Sequence, residues 1–295
     1  MKFRFKVQGY QTDAVKAVVN VFDGQPRQNP SQYTLDIGVK KKDTQVQGSL
    51  FDEEGNVRDI YDDDYDVGFS NAPIKIMESK LLENIKNIQS SSNIRESDSL
   101  YATEGLGACQ LDVEMETGTG KTYVYIKTMF EMYRKYGWSK FIVVVPSIAI
   151  REGVKKSFEM TQDHFMDAYG EKARYFIYNS TKLNDLETFS SSSKINVMII
   201  NIQAFNARGA DARRIYERLD EFQSRRPIDV IAKNRPVLIM DEPQKMGGDA
   251  TQESLKNFNG VTGNISFDEF HNAVKPAFLI ELSNGTPIKA TIVNP

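Results

Sequence analysis

Short apolar runs alternate with helical patterns from Cys109 to Met240, and this alternation limits the fold more than any other feature of the sequence. Consecutive parallel strands need a long crossover between them, and a helix usually supplies it. Two of the runs, FIVVV and VLIM, are apolar without interruption, as is typical of strands covered on both faces. We therefore predict an α/β fold, with a mostly parallel sheet and helices on both faces. The predicted strands are Cys109–Met115, Phe141–Val145, Tyr175–Tyr178, Val197–Asn201 and Val237–Met240, and the predicted helices are Lys121–Tyr136 and Ala149–Met160.

The segment METGTGKT, residues 115–122, follows one predicted strand and opens a predicted helix. Its glycines let the backbone curl so that successive N–H groups point at phosphate oxygens, and the helix presents its positive end to the same anion. In the phosphate-loop pattern G-x-x-x-x-G-K-[ST] the lysine reaches the β- and γ-phosphates and the hydroxyl binds Mg²⁺. An ordinary glycine turn before a helix is the alternative. The predicted nucleotide-binding residues are Thr117, Gly118, Thr119, Gly120, Lys121 and Thr122, with Met115 where the pattern has glycine.

A pair of carboxylates, Asp241 and Glu242, ends the apolar run PVLIM. Nucleotide hydrolysis needs a carboxylate that holds the metal and a group that orients or deprotonates the attacking water. We assign the metal to Asp241, together with Thr122, and the water to Glu242, with Lys121 as the second catalytic residue. We expect these groups to meet across the ends of neighbouring strands. Adjacent acids that only cap a turn are the alternative, and Asp268–His271 is a rival D-E-x-H segment after a weaker strand pattern.

Composition excludes several other kinds of site. One cysteine, Cys109, and two histidines exclude an internal disulfide and a cysteine-rich zinc site. The net charge of -3 argues against bulk electrostatic coating of nucleic acid but leaves room for a basic groove, since residues 205–235 are rich in arginine. The acidic run Asp62–Asp64 does not fit a calcium loop. No run approaches the ~18 apolar residues of a membrane span, and no signal-peptide pattern opens the chain, so we expect a cytoplasmic protein without membrane contact.

The remaining segments are less regular. Apolar periodicity predicts helices over residues 9–22 and 74–88, and a charged surface helix over 206–226. The polar, acidic stretch 24–71 reads as an elaboration of the main fold, and Ser190–Ser193 as a short serine loop.

The segments METGTGKT, FIVVVPSIAIREG, VMIINIQAFN and LIMDEPQKM resemble, in this order, motifs I, Ia, Ib and II of superfamily 2 DEAD/DEAH-type helicases. Helicases tolerate a residue other than glycine at the place of Met115. The sequence is most similar to the restriction (Res) subunit of type III restriction-modification enzymes, over residues 1 to about 258. The resemblance implies a RecA-like P-loop NTPase lobe that hydrolyses ATP with Mg²⁺ as a DNA helicase or translocase. It also implies that the lobe is part of a type III site-specific endonuclease and that a modification methyltransferase (Mod) subunit is its partner.

The same resemblance implies further site residues. Gln11 would read the adenine edge and select ATP. The residues that would contact DNA are Pro146, Ser147, Arg151, Gln203 and Phe205. For Ser147, a helix cap is the alternative that needs no DNA.

The sequence departs from this family after the carboxylate pair. No S/T-A-T motif follows Gln244, and no arginine motif of a second lobe or nuclease signature is found. Because an arginine finger contributes ~10³–10⁵ in rate, we expect slow hydrolysis. A catalytically silent remnant that binds nucleotide or the partner subunit is the alternative function.

Residues 259–295 resemble instead the C-terminal end of a periplasmic branched-chain amino acid binding protein. We expect a fusion or truncation near residue 258, and hairpin strands from the alternation of Phe267, Phe278, Ile280 and Leu282, with a turn at Asn284-Gly285. The predicted divisions are 1–107, an N-terminal helix plus a polar and acidic elaboration belonging to the lobe; 108–258, the RecA-like ATP-binding lobe; and 259–295, an atypical β-rich tail. A solute-binding module is a minor alternative that rests on this tail alone.

Overall fold

The structure is a computed structural model that describes residues 5–34, 67–100, 110–202, 204, 214–242, 279–284 and 289–291. Strands β1 (Ser31–Thr34) and β2 (Val67–Ser70) form a separate antiparallel pair. The main sheet contains β3 (Gln110–Met115), β4 (Lys140–Val145), β5 (Arg174–Ile177), β6 (Asn196–Asn201), β7 (Val237–Asp241), β8 (Leu279–Asn284) and β9 (Lys289–Thr291). Its strand order is β5-β6-β4-β7-β8-β3-β9, and all neighbouring pairs are parallel except β3 and β9.

Both faces of this sheet are covered. The helices are α1 (Gly9–Asn20), α2 (Glu78–Ser91), α3 (Lys121–Tyr136), α4 (Ile148–Tyr169), α5 (Asn184–Ser191) and α6 (Pro227–Lys233). Val143 and Val145 of β4 enter a core shared with α1 to α4, whereas Ile142 and Val144 enter a second core shared with α5 and α6. Side chains alternate across a strand, so a strand with helices on both faces is apolar throughout. The predicted α/β fold is thereby confirmed.

Helix α3 has the predicted bounds because a glycine stands on either side of it. Gly120 precedes the helix with a φ of 89°, and Gly137 follows it with a φ of 81°. This left-handed conformation is readily adopted by glycine and interrupts a right-handed helix.

Helix α4 is longer than the predicted 149–160. It begins after Ser147, whose hydroxyl accepts a hydrogen bond from the Ile150 N–H at 3.3 Å, and it ends before Gly170 with a φ of 70°. The added turns bury Phe165, which stacks on Phe130 with ring centroids 4.8 Å apart. Even so, no helix among the residues described is long and apolar enough to cross a membrane.

The surface helix predicted over 206–226 is wrong in its described part, residues 214–226. These residues form turns and a short 3₁₀ helix, Asp220–Phe222. Gln223 follows with a φ of 56°, which a right-handed helix does not accommodate. The apolar residues Ile215 and Phe222 are buried at 1% exposure each, so their spacing reflects packing under α5 and α6 rather than helical periodicity.

The predicted serine loop is also wrong at its start, because Ser190 and Ser191 belong to α5. Lys140, at the first position of β4, is fully buried and donates from Nζ to the carbonyl oxygens of Phe189, Ser190 and Ser192. These carbonyls end α5 or follow it, and the amine donates to acceptors that have no partner within the helix. A tertiary contact therefore helps to terminate a helix that the sequence pattern did not reveal.

The N-terminal helices share the core of the sheet. The Tyr136 hydroxyl of α3 donates to the Val19 carbonyl at 2.7 Å, and α1 places Ala14, Val15 and Val18 in the same core. This packing brings the first turn of α1 to the loop that precedes α3.

Strand β8 lies between β7 and β3, which corrects two predictions. The register pairs Asp241 with Leu282 and Met115 with Asn284, so the strands before the loop and the carboxylates are not neighbours. Strands β8 and β9 lie on opposite sides of β3 and do not form the expected hairpin with each other. Adjacent strands are about 4.8 Å apart, so β3 and β7, which lie on either side of β8, are about 10 Å apart.

Candidate nucleotide site

The loop between β3 and α3 has the backbone of an anion site. Gly118 and Gly120 have φ of 83° and 89°, and the Thr119 N–H and hydroxyl both bond back to the Glu116 carbonyl, at 3.3 and 2.6 Å. Alternation of left-handed and right-handed residues turns successive N–H groups toward one point, and the first turn of α3 adds its free N–H groups there. The loop thus provides a cradle for a phosphate group.

The lysine that follows the loop is paired with the second carboxylate. Lys121 Nζ lies 3.1 Å from Glu242 Oε1, and each side chain is only 10% exposed. An ion pair with so little water around it interacts more strongly than a surface pair. The long lysine side chain spans the distance between the ends of β3 and β7.

Glu242 itself has an unusual backbone. Its φ is 61°, in the left-handed region that is uncommon for a residue other than glycine. Such a conformation costs about 1–2 kcal/mol and persists where surrounding contacts impose it. The turn directs the Glu242 side chain toward the phosphate loop at the point where β7 ends.

Asp241 is the last residue of β7 and is 4% exposed. Its Oδ2 accepts a long hydrogen bond of 3.5 Å from the hydroxyl of Tyr125. Burial raises the pKa of the Tyr125 phenol well above its usual value, and the negative charge of Asp241 raises it further. The phenol therefore keeps its proton and acts as a donor to the carboxylate.

The donor set at this point suits Mg²⁺. Thr122 and Asp241 offer a hydroxyl and a carboxylate, and Mg²⁺ prefers oxygen ligands and takes few of them from the protein when phosphates are present. In the described ranges no cluster of three or more histidine, cysteine, aspartate or glutamate residues offers an alternative cage. The residues thus fit a metal that is shared with a nucleotide.

Gln11 lies against the phosphate loop. Its side-chain amide donates to the Thr119 carbonyl at 2.8 Å, and the Tyr10 hydroxyl donates to the same oxygen at 3.1 Å. A Cβ on Gly120 would lie 2.6 Å from Gln11 Nε2, so a larger residue there would require the Gln11 side chain to move, in addition to the unfavourable backbone conformation. The two donors hold the Thr119 carbonyl on the side of α1, away from the cradle.

The residues expected to contact DNA are partly described. Pro146 is buried, Ser147 caps α4, and Arg151 pairs with Glu152 at 2.9 Å, its side chain 25% exposed. Strands β4 and β6 end side by side, with Val145 opposite Asn201. The first residues of α4 therefore lie at the same edge of the sheet as the nucleotide site.

Several predicted features lie outside the described residues. These are Gln203, Phe205, Cys109, Asp62–Asp64, Asp268–His271, and Pro243 and Gln244 after the carboxylate pair.

Two residues at the candidate site were not predicted from the sequence. Tyr10 precedes Gln11, and Tyr125 follows Thr122 by three positions and Lys121 by four, a spacing that places it on the same helix face. That spacing is a usable signal, since a polar aromatic residue one turn after a candidate metal ligand lies within reach of it.

Comparison with known proteins gives a consistent family. The family of the type III restriction enzyme, res subunit, matches residues 80–289. The EcoP15I Res subunit of Escherichia coli is 30% identical over 208 residues, which cover 64% of this chain and 21% of that protein. The StyLTI Res subunit of Salmonella typhimurium is 34% identical over 157 residues, 47% of this chain and 16% of that protein. The chain thus spans about a fifth of the length of these relatives.

Two solved structures match at lower sequence identity. The UvsW helicase from bacteriophage T4 has a TM-score of 0.33 at 12% identity, covering 58% of this chain and 45% of that one. The Sulfolobus solfataricus SWI2/SNF2 ATPase core in complex with dsDNA has a TM-score of 0.34 at 13% identity, covering 62% and 28%.

Proposed function

Because this chain belongs to the family of type III restriction enzyme res subunits, we propose that it is the ATP-hydrolysing, DNA-contacting motor lobe of such an enzyme. The observation that carries the proposal is the meeting of the phosphate loop and the carboxylate pair, with Lys121 Nζ 3.1 Å from Glu242 Oε1. Hydrolysis needs both groups at one phosphate. A glycine turn and a pair of capping acids with no shared role have no reason to meet in this way.

Each residue has a distinct task in this proposal. The loop amides around Gly118 and Gly120 would bind the β-phosphate, and Lys121 would bind the β- and γ-phosphates. Thr122 and Asp241 would hold Mg²⁺, which when bound neutralises charge on the phosphate oxygens. Glu242 would orient the attacking water and take its proton.

The ion pair implies an exchange when nucleotide binds. Lys121 cannot serve both Glu242 and the γ-phosphate with full strength, so phosphate binding would loosen the pair. A carboxylate that no longer contacts the lysine can accept a hydrogen bond from a water molecule instead. Arrival of the substrate would thus prepare Glu242 for the water.

Specificity for adenine rests on Gln11, whose position beside the loop supports the role that the family implies. Its amide donates to Thr119 in this structure, so its carbonyl oxygen or a shifted amide would read the base. This arrangement would make the lobe selective for ATP. It would also link recognition of the base to the conformation of the phosphate loop, because Gln11 would contact both.

The DNA contact would use the edge of the sheet where β4 and β6 end. Arg151 there is part-exposed, and the N-terminal end of α4 offers N–H groups to a phosphate. Gln203 and Phe205 would follow β6 at the same edge. The proposal includes a Mod subunit as partner and a cytoplasmic location, where ATP and DNA are both available.

The function is tested with Glu242→Gln in the full chain. We expect this variant to bind Mg-ATP as the wild type does, and to lose about 10²–10⁴ of the turnover measured with duplex DNA. Glu171→Gln is the matched control, because Glu171 pairs with Lys194 on the surface. Wild-type binding with no turnover above the Glu242→Gln background would instead favour the silent remnant. No binding of Mg-ATP by the wild type would overturn both.

A further inference from the structure

Tyr125 is a buried polar residue that the proposed chemistry does not use. It lies one turn inside α3, is 1% exposed, and belongs to the apolar core of the sheet. Its hydroxyl lies 3.5 Å from Asp241 Oδ2, and the Thr122 side chain, one turn earlier on α3, lowers the pKa of the same phenol. One phenol thus lies beside both side chains assigned to the metal, although one is on α3 and the other on β7.

Packing alone does not explain this hydroxyl. A phenylalanine fills nearly the same volume, and a buried hydroxyl without a partner is unfavourable. The phenol is retained in an apolar core where its partners are Asp241 and Thr122, so its hydrogen bonds concern those two side chains. A buried tyrosine hydroxyl both donates and accepts, which allows it to join two partners.

The direction of the hydrogen bond to Asp241 follows from its acceptor. An ionised carboxylate only accepts, so Tyr125 donates to Asp241. The remaining lone pairs of the phenol can accept from a hydroxyl, and the lowering of the Tyr125 pKa by Thr122 is the effect that such a donor has. A Thr122 hydroxyl that donates to Tyr125 keeps its own lone pairs for a cation.

We infer that Tyr125 is a positioning residue that orients Thr122 and Asp241 for Mg²⁺, linking the phosphate loop to the carboxylate strand. The inference rests on the proposed function, because it presupposes that a metal is bound with the nucleotide. Groups behind metal ligands fix ligand orientation in this way, and their loss weakens metal binding about 10–100-fold. Since the bond to Asp241 is long, the effect belongs at the lower end of that range.

Tyr125→Phe tests the inference, with Tyr136→Phe as its matched control. Tyr136 lies on the same helix, is also 1% exposed, and donates its hydroxyl to the Val19 carbonyl. Both variants remove one buried hydroxyl, but only Tyr125 contacts the metal-binding side chains. Binding of a fluorescent ADP analogue is followed while Mg²⁺ is titrated, and separately in EDTA. Binding of Mn²⁺ with ADP is followed by electron paramagnetic resonance, and melting temperatures are recorded for all proteins.

We expect Tyr125→Phe to raise the Mg²⁺ concentration that gives half-maximal nucleotide binding about tenfold. The affinity for Mn²⁺ in the presence of ADP should fall by a similar factor. Nucleotide affinity in EDTA should stay unchanged, and Tyr136→Phe should lower the melting temperature without moving the Mg²⁺ titration. A Tyr125→Phe titration that coincides with that of Tyr136→Phe would show a structural role only and would overturn the inference. Failure of the proposed function appears differently, as equal nucleotide binding by the wild type and Lys121→Ala, and it would overturn the inference too.

Discussion

Lys121 and Glu242 form an ion pair of 3.1 Å across the end of a strand that lies between the two strands they follow. Strand β8 separates the backbones of β3 and β7, while the side chains of Lys121 and Glu242 meet at the edge of the sheet. In the proposed function, a phosphate and its metal would displace this one side-chain contact between Lys121 and Glu242.

The first prediction concerns this ion pair. Lys121→Ala should weaken Mg-ATP binding about 10–100-fold, because a charged hydrogen bond contributes about 1.5–3 kcal/mol. Lys135→Ala is the control, since Lys135 lies on the same helix and pairs with Asp23 near the surface. Isothermal titration calorimetry measures both affinities. Equal affinities for the two variants would remove Lys121 from the site.

A second prediction uses the left-handed backbone of Glu242, whose φ is 61°. Glu242→Gly and Glu242→Ala both remove the carboxylate, but glycine adopts this conformation freely. Glu242→Gly should therefore have the larger free energy of unfolding, by about 1–2 kcal/mol. Urea denaturation measures the difference. Equal stability would mean that the turn relaxes once the ion pair is gone.

The third prediction concerns the close approach of α1 to the loop. Gly120→Ala should weaken Mg-ATP binding for two reasons. Alanine adopts the left-handed backbone conformation of Gly120 unfavourably, and the new Cβ would lie 2.6 Å from Gln11 Nε2. Adding Gln11→Ala removes only the contact, so the effect of Gly120→Ala on binding should be smaller in that background.

Gly118→Ala is the control for this double-mutant cycle. Gly118 has a φ of 83°, and a Cβ added there would meet nothing within 4 Å, so Gln11→Ala should leave its effect unchanged. If Gln11→Ala altered both glycine variants alike, the contact at Gly120 would not be the cause.

A fourth prediction concerns pH. Burial lowers the pKa of Lys140 to about 7, from 10.5 in an exposed lysine. Between these values the unfolded chain binds a proton that the folded chain has released, so the free energy of unfolding should rise as pH increases from about 7 to about 10. Lys140→Met lacks this group. Urea denaturation at pH 7 and pH 9.5 measures the free energy of unfolding of both proteins. The difference between the wild type and Lys140→Met should shift in favour of the wild type as pH increases. A constant difference would contradict the lowered pKa of Lys140.

Sequence reasoning succeeded where local signals were strong. The bounds of α3 followed from glycines on both sides, and the apolar runs became strands because alternate side chains meet two separate cores. It failed at residues 214–226, where buried apolar residues at helical spacing lie in turns, and at α5, a short polar helix whose end is held by Lys140 from another strand. In those places distant residues supply the stabilising contacts.

The sequence alone determined the chemistry of the candidate site, because glycines, a lysine, a hydroxyl and two carboxylates occur in patterns whose local geometry is nearly independent of the rest of the chain. Only the tertiary structure decided that β8, a strand from the C-terminal part, separates the loop strand from the carboxylate strand. It also brought Tyr10 of α1 to the phosphate loop, a contact for which the sequence offered no local signal. Strand order and the packing of helices depend on contacts between residues far apart in sequence, and no local pattern encodes them.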